Sequence, residues 1–327
     1  MTYVRSASHD LLRRRAAILG SIRGFFAERG VLEVETPALS SAGVTDPALE
    51  NIHALVKSLG ARPQYLHTSP EFAMKRLLAA GCGDIYQICR VFRDDELGRW
   101  HQPEFTLLEW YRVGWDEQRL MTEVEALLAT VLATAGKSGP HTSIRVRYSD
   151  AVESALGVGA DAPTAEIAAR LSAAGIDVPR ELTHDATLDL AIFTVVLASF
   201  DATALVFVYD YPASQAALAR VKPGHPPVAA RFEVFSRGIE LANGFHELGD
   251  EVEQRERFTA DLETRRRAGR SVPPLDEELL AALAAGLPDC AGVAVGLDRL
   301  IALTTGQTDV ASVVSFAHAR PSSATTV

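Results

Sequence analysis

Cysteine is scarce in this sequence of 327 residues, which contains Cys82, Cys89 and Cys290. No two of them have the Cys-x-x-Cys spacing of a metal site, and no group of cysteines and histidines surrounds them. Because the number is odd and the spacing is wide, the sequence argues against a disulfide framework and against a zinc site. We therefore expect buried, reduced thiols.

Long hydrophobic runs are also missing. The longest one, from Leu190 to Phe200, is too short for a membrane helix, which needs about 20 apolar residues. No secretory signal segment is recognisable near the start of the sequence. The sequence therefore predicts a cytoplasmic protein with no membrane partner.

Positive charge is outnumbered, since 32 Lys and Arg residues stand against 42 Asp and Glu residues and give a formal net charge of −10. Proteins that wrap long nucleic acids need a basic surface, so this balance argues against that class. The hydrophobic fraction of 47% and the charged fraction of 23% are ordinary for a soluble globular enzyme. The length is sufficient for a large hydrophobic core.

The stretch from Tyr86 to Tyr111 carries the most chemistry. An apolar run at each end encloses a polar segment, which predicts a strand, a long loop and a second strand. The loop contains several charged and imidazole side chains, among them Arg93 and His101. Two interpretations are open: a site that grips an anion, for which ordering these side chains is worth its entropic cost, and a solvated hairpin tip.

Three glutamates, Glu233, Glu240 and Glu247, recur every seven residues. The intervening glycines and the β-branched and aromatic neighbours favour two strands around a turn over a helix. Carboxylates gathered on one side of a cleft repel one another unless a cation lies among them, which indicates Mg²⁺, a substrate ammonium group or both. The alternative is that the three acids are exposed on the sheet surface.

Local patterns predict further elements along the chain. Residues 10–29 have the apolar spacing of a helix, and residues 31–37 alternate like a strand that ends at a proline. Ser69 is predicted as the N-cap of a helix that begins with Pro70 and Glu71. Residues 116–203 are predicted to form a helical insertion, in which we identify no chemistry. An apolar strand at residues 292–296 leads into a helix with Asp298 as its predicted N-cap.

The motifs resemble those of class II aminoacyl-tRNA synthetases, and most closely the lysyl branch. Phe92-Arg93 followed by His101-Gln102-Pro103-Glu104-Phe105-Thr106 is similar to motif 2, with departures at Asp94, Asp95 and Gln102. The first helix and strand are similar to motif 1, and residues 292–300 to motif 3. The resemblance implies an α+β fold in which an antiparallel sheet is flanked by helices. It implies a single catalytic domain over residues 1–327.

The motif 1 helix begins near Asp10, whereas lysyl-tRNA synthetases carry an anticodon-binding barrel ahead of it. We therefore expect no anticodon-binding domain, and the sequence resembles the free-standing paralogues that attach (R)-β-lysine to a lysine of translation elongation factor P. This implies β-lysine or lysine, ATP and Mg²⁺ as small ligands, elongation factor P as protein substrate, a homodimer built on motif 1, and no role for tRNA. Two alternatives remain, a truncated enzyme that charges tRNA and a non-catalytic regulatory paralogue.

The resemblance also implies roles for individual residues. Arg93 and Arg299 would be catalytic. ATP would contact Arg93, Asp94, Asp95, His101, Gln102, Phe105, Glu240, Leu241, Gly296 and Arg299. The amino acid would contact Ser69, Pro70, Glu71, Glu109, Tyr111, Asn243, Phe245, Glu247 and Ala294, and Mg²⁺ would lie on Glu233 and Glu240. Ala294 would help to select β-lysine over α-lysine, and the alternative is that it only packs on the sheet.

Overall fold

The computed structural model describes residues 6–60, 62–137 and 142–319. Its strands in chain order are β1 Leu32–Glu33, β2 Leu39–Ser40, β3 Ile52–Leu55, β4 Pro63–Leu66, β5 Ile85–Phe92, β6 Glu104–Val113, β7 Ser143–Arg147, β8 Leu205–Pro212, β9 Val221–Lys222, β10 Val228–Ser236, β11 Ile239–His246 and β12 Cys290–Gly296. Its helices are α1 His9–Ala27, α2 Glu71–Ala79, α3 Glu117–Thr134, α4 Tyr148–Leu156, α5 Thr164–Ala173, α6 His184–Ala191, α7 Glu251–Arg267, α8 Glu277–Gly286 and α9 Leu297–Thr305.

A large sheet with the strand order β1-β5-β6-β12-β11-β10-β8-β7 organises the molecule, and β9 pairs with β10. The pairs in the middle of the sheet are antiparallel, whereas β1 with β5 and β7 with β8 are parallel. A small antiparallel sheet, β2-β4-β3, lies outside it. The predicted α+β class, with a mainly antiparallel sheet flanked by helices, is confirmed.

The main hydrophobic core lies between the large sheet and three helices, α1, α3 and α9. Successive side chains of a strand point to opposite faces, and β6 and β12 follow this rule closely. Leu108, Trp110, Val293 and Val295 are buried in the core, while their neighbours in sequence face the other way. Helices therefore cover one face of the sheet, and the opposite face is available for a site. Among the described residues, no helix is long and apolar enough to cross a membrane.

The motif 1 segment agrees with the predicted helix but not with the predicted strand. Helix α1 is capped by Ser8, whose Oγ accepts from the Leu11 amide, and the chain leaves it through Gly30 at φ 67°. The strand predicted over residues 31–37 has only two residues in the structure, which pair with β5 at the edge of the sheet. Pro37 lies beyond it.

Residues 116–203 are helical over much of their described length, with α3 to α6, but they also contain β7, which extends the large sheet beside β8. Helix α3 packs in the main core, whereas α4, α5 and α6 form a second core against β8 and β10. A chain that is dense in Ala and Leu gives no sign of the short strand, because five residues are too few for a clear period of two.

Asp298 is not the N-cap that its position predicted. Gly296 precedes α9, and Asp298 lies in the first turn with its carboxylate buried. Its Oδ1 accepts from Arg15 Nη1 of α1 at 2.6 Å, and its Oδ2 accepts from the Thr106 amide of β6 at 2.9 Å. One carboxylate thus connects α1, β6 and α9.

We expect Asp298→Ala to lower the free energy of unfolding by about 3 kcal/mol, because Arg15 would lose its partner in a largely buried position. Urea denaturation measures this loss. The matched control is Asp10→Ala, which removes an exposed pair with Arg14 on the same helix and should change stability by less than about 0.5 kcal/mol. Equal losses in the two variants would contradict the structural importance of Asp298.

Candidate active site

A cleft of about 1270 Å³ lies on the face of the large sheet that α1, α3 and α9 leave uncovered. Strand register brings many of the predicted site residues to its floor in two rows, each with one residue from β6, β12, β11 and β10. The first row is Glu109, Ala294, Asn243 and Glu233, and the second is Tyr111, Gly292, Phe245 and Arg231. Segments that are distant in the sequence therefore share one surface, since facing residues on paired strands lie about 5 Å apart.

Strand β12 contributes two small residues, Gly292 and Ala294, to the cleft floor. A Cβ atom on Gly292 would lie 2.2 Å from Cε1 of Tyr111 and 2.6 Å from Oε1 of Glu247. Both side chains are buried, so a methyl group at this position would force one of them to move. Gly292 thus allows the Tyr111 ring and the Glu247 carboxylate to occupy the same end of the cleft.

Three carboxylates and one lysine gather at that end. Lys75 Nζ lies 2.7 Å from Glu71 Oε1 and 2.6 Å from Glu247 Oε2, and its side chain is only 1% exposed. Burial alone would lower the pKa of Lys75, but the charges of Glu247 and Glu71 outweigh burial and raise it. Lys75 is therefore protonated, and its side chain provides one positive charge within the site.

Glu109 is the third carboxylate, and neutral groups hold it. Ser69 Oγ donates to its Oε2 and the Tyr111 hydroxyl donates to its Oε1, both at 2.6 Å. Burial, followed by the nearby charge of Glu71, raises the pKa of Glu109 to about 8. Burial likewise raises the pKa of Glu247 to about 7, although Lys75 opposes the shift. The cluster has three carboxylates and one cation, so its positive charge is too small to balance the carboxylates when they are ionised.

The other end of the cleft carries two arginines. Arg93 leaves β5 and its guanidinium lies 5.0 Å from the centroid of the Phe105 ring, with Glu96 Oε1 at 3.7 Å. Arg299 in the first turn of α9 donates to the carbonyl oxygens of Trp100 and Glu240, at 3.1 and 3.0 Å. Phe105 therefore offers an aromatic face beside guanidinium groups, an arrangement suited to a planar base that carries phosphates.

His101 lies next to Arg299, with Nε2 and Nη2 2.7 Å apart. Because a guanidinium group can only donate, Nε2 must accept. Burial and the positive charge of Arg299 both lower the pKa of His101, which is consistent with a neutral ring. A neutral imidazole leaves the positive charge of this corner on the arginines.

The motif 2 loop differs from the prediction at its acids. Asp94 and Asp95 are exposed and do not line the cleft, whereas Glu96 does. Asp95 has φ 60°, and Glu96 follows it into the cleft. Gln102 lines the cleft, but its side chain exchanges hydrogen bonds with the backbone of His318, at 2.8 and 3.4 Å. The predicted contacts of Asp94 and Asp95 with ATP do not fit their placement.

The predicted metal residues lie in the cleft in different settings. Glu233 is buried and forms an ion pair with Arg231, whereas Glu240 is half-exposed with Oε2 3.5 Å from Arg299 Nη1. No group of three or more potential ligands forms a preformed metal cage among residues 6–60, 62–137 and 142–319. One or two carboxylates still fit Mg²⁺, which takes most of its ligands from phosphates and water at such sites.

The remaining predicted residues also line the cleft. They are Ser69, Pro70, Leu241, Asn243, Phe245, Ala294 and Gly296. Ser69 is not the N-cap of α2, which is Pro70, but its Oγ accepts from the Glu71 amide at 3.0 Å and so has a capping contact. Ala294 lies between Glu109 and Asn243 in the first row.

A family model described as tRNA synthetases class II (D, K and N) matches residues 1–320. The chain belongs to the class II tRNA synthetase family. This membership confirms the resemblance that the three sequence motifs indicated.

Three curated relatives of this chain have the same name. A protein of Vibrio vulnificus is 49% identical over 318 residues, which cover 95% of this chain and 96% of that protein. A protein of Vibrio cholerae is 47% identical, with coverage of 97% and 98%, and one of Salmonella paratyphi B is 47% identical, with coverage of 96% and 97%. Each is named elongation factor P–(R)-β-lysine ligase.

Three side chains of the candidate site were not predicted from the sequence. Lys75 is four residues after Glu71, so their i, i+4 spacing on a helix was the available signal. Glu96 follows two other acids in a loop, and only the loop conformation shows which of them faces the cleft. Arg231 shares one face of β10 with Glu233, as a spacing of two on a strand requires.

We expect Gly292→Ala to lower the free energy of unfolding by about 1–3 kcal/mol, because the new methyl group overpacks Tyr111 and Glu247. Thermal and urea denaturation measure this change. Gly296→Ala on the same strand is the control, since its nearest new neighbour would be 3.8 Å away, and we expect it to be nearly neutral. If Gly292→Ala were as stable as wild type, the close packing of these side chains would be wrong.

Proposed function

We propose that this protein activates (R)-β-lysine with ATP as an aminoacyl-adenylate and transfers it to a lysine side chain of translation elongation factor P. The observation that carries this proposal is the division of one cleft into an end with excess buried carboxylate and an end with two arginines. A substrate with two ammonium groups and one carboxylate, bound beside a nucleotide, fits this division. The shared name of the relatives supports the same reaction, and we infer that residues 1–327 act as one catalytic domain in the cytoplasm.

The arginine end would bind ATP as a substrate. Phe105 would stack on the adenine, Arg299 would contact the distal phosphates, and Arg93 would bridge the α-phosphate and the carboxylate of the amino acid. A carboxylate oxygen attacks the α-phosphorus, the bond from that phosphorus to the bridging oxygen breaks, and pyrophosphate leaves. Arg93 contributes by holding both reactants in line and by stabilising charge on the phosphoryl oxygens.

Mg²⁺ would lie on Glu240, with Glu233 close to it, and would supply charge neutralisation for the phosphates. Glu233 already forms an ion pair with Arg231, so Mg²⁺ would have to share this carboxylate with the guanidinium group. The His101 ring, held neutral beside Arg299 with Nε2 as acceptor, would donate from Nδ1 to a phosphate oxygen without adding charge.

The acidic end would bind the amino acid. Glu109, Glu247 and the Tyr111 hydroxyl would receive the side-chain ammonium, while Glu71 would receive the amine near the carboxylate. In the second step the acceptor lysine, after losing a proton to solvent, attacks the carbonyl carbon of the adenylate. An amide bond forms, the bond from carbon to the phosphate oxygen breaks, AMP leaves and a second proton is released.

Two assays test the proposed function. The wild-type protein should catalyse pyrophosphate exchange that depends on β-lysine, and it should add one β-lysyl group to elongation factor P, as measured by mass spectrometry. An elongation factor P variant with arginine in place of the acceptor lysine should stay unmodified. Acylation of tRNA in place of the protein would favour the truncated synthetase, and absence of any exchange would favour a regulatory paralogue.

Ala294 is proposed to help select β-lysine, because its methyl group faces the cleft between Glu109 and Asn243. A β-amino acid has its amine one carbon farther from the carboxylate, so the space beside the carboxylate matters. We expect Ala294→Gly to shift the ratio of kcat/KM for the two lysines toward α-lysine by about tenfold, which is the usual effect of one methyl group in a tight pocket. An unchanged ratio would leave Ala294 as a packing residue.

A homodimer built on α1 is also proposed. The exposed side of this helix carries small residues, Ala16, Ala17, Gly20, Gly24 and Ala27, and such a surface permits close approach of a second helix. The edge strand β1 lies directly after it, and an exposed edge favours pairing with another chain.

Light scattering at micromolar concentration should show a dimer for wild type and a monomer for Gly20→Glu. A Cβ at Gly20 meets nothing within 4 Å in the protomer, and replacing glycine in a helix stabilises it by up to about 1 kcal/mol, so the variant should fold. Ala129→Glu on the exposed side of α3 is the control and should remain a dimer. A monomeric wild type would refute this arrangement.

A further inference from the structure

The cleft has a third arm beyond its arginine end and its acidic end. We call it the α7 arm, and it is lined by Phe72, Arg76, Gln254, Phe258, Asp261 and Glu278. Phe72 follows Glu71 directly in α2, and its ring centroid lies 5.6 Å from that of Phe258 in α7. The arm therefore starts beside the residue proposed to hold the amine next to the reacting carboxylate.

Gln254 in this arm has a buried amide without a partner. Its residue is 1% exposed, and neither Nε2 nor Oε1 has a hydrogen-bond partner among the described residues. Burying an amide without hydrogen bonds is unfavourable, so such groups are rare in folded proteins. One donor and one acceptor at the end of a single side chain match the N–H and C=O groups of a peptide backbone.

Asp261 in the same arm feels the charges of Arg257 and Arg265, but it forms no direct ion pair with a described residue. Its Oδ2 accepts from the Thr45 hydroxyl at 3.1 Å, and no ion pair of Asp261 is found in the described part of the chain. The nearby Arg76 does not supply one, because it pairs with Glu278 at 2.6 Å. Burial raises the pKa of Asp261 to about 6, so it is largely ionised at neutral pH and is suited to an ammonium group.

Gln254 and Asp261 belong to one binding surface. They flank Phe258 along the buried side of α7, seven residues or about 10 Å apart along the axis. The loop that faces them is fixed, since the buried Arg265 donates from Nη1 to the carbonyl oxygens of Asp46 and Leu49 at 2.8 and 2.6 Å. A preformed surface thus offers one contact for a peptide group and one for an ammonium ion.

We propose that the α7 arm binds the acceptor segment of the protein substrate, with Gln254 on its backbone and Asp261 on its lysine ammonium group before transfer. This inference rests on the proposed function and names the surface that the second substrate uses. ATP and the amino acid occupy the other two ends in that proposal, which leaves the α7 arm free for the acceptor.

The test separates activation from transfer. Wild type, Asp261→Asn and Gln254→Met are compared in β-lysine-dependent pyrophosphate exchange, in hydroxamate formation with hydroxylamine, and in acylation of elongation factor P. Exchange and hydroxamate formation need no docked protein, and both variants should keep them within about twofold of wild type. Both should lose at least tenfold in kcat/KM for elongation factor P, mainly through KM.

Stability distinguishes binding from folding roles. Gln254→Met replaces an unpaired amide with an apolar side chain of similar size, so its melting temperature should be equal to or above that of wild type. Glu256→Gln makes the same charge change as Asp261→Asn at an exposed position on the same helix and should alter none of the assays. Asp185→Asn changes an acid of α6 that also lines the cleft and accepts from Ser214 Oγ at 2.8 Å, and it should likewise alter none of the assays.

Several outcomes would overturn the proposal. Unchanged acylation of elongation factor P in both α7 variants would show that the acceptor does not use this arm. Parallel losses in exchange and transfer would assign the arm to amino-acid activation. If Gln254→Met melted at a lower temperature and Asp261→Asn transferred normally, the Gln254 amide would have a structural role. If Asp185→Asn alone were defective in transfer, the acceptor would bind beside Asp185 and not in the α7 arm. A wild type that does not modify elongation factor P would instead refute the proposed function.

Discussion

A shortage of positive charge among buried carboxylates is the constraint on which the site depends. Glu71, Glu109 and Glu247 contribute three negative charges when ionised and Lys75 contributes one positive charge, which leaves a formal net charge of −2. Ionised groups are costly away from water unless they are paired. In the free protein a proton on Glu109 relieves part of this cost. A ligand with two ammonium groups would relieve all of it, which is the physical reason for proposing a diamino acid as the substrate.

The sheet holds this arrangement in place. Two rows of facing residues set the spacing of the site, and Gly292 leaves the space in which Tyr111 and Glu247 meet. The arginines enter from the loop after β5 and from the first turn of α9, and β6 carries both Phe105 at their end and Glu109 at the acidic end. In the proposed function this separation would orient the substrate, with its carboxylate at one end and its ammonium groups at the other.

Much of the fold followed from the sequence, because long periodic segments such as α1 and ordered motifs such as Phe92-Arg93 are strong signals. The predictions that were wrong concern features that depend on tertiary geometry. The strand predicted at residues 31–37 has only two residues in the structure. Asp298, which was predicted as an N-cap, forms an ion pair with Arg15 instead. Asp95 is turned outward at positive φ while Glu96 reaches the cleft. A buried Lys75 contradicts the usual exposure of lysine. Its spacing from Glu71 indicated the first ion pair, but its burial depends on the tertiary contact with Glu247.

Proton release on substrate binding tests the charge account most directly. With its pKa raised to about 8, Glu109 is mostly protonated in the free protein at pH 7, and an incoming ammonium group lowers that pKa. Calorimetry of β-lysine binding at pH 7 in buffers of different ionisation enthalpy should therefore show release of about one proton from Glu109. Glu247, with its pKa raised to about 7, should add a smaller share, and affinity should rise from pH 6 to pH 8. Glu109→Gln should remove most of this release. Binding without proton release, with the same affinity from pH 6 to pH 8, would contradict the account.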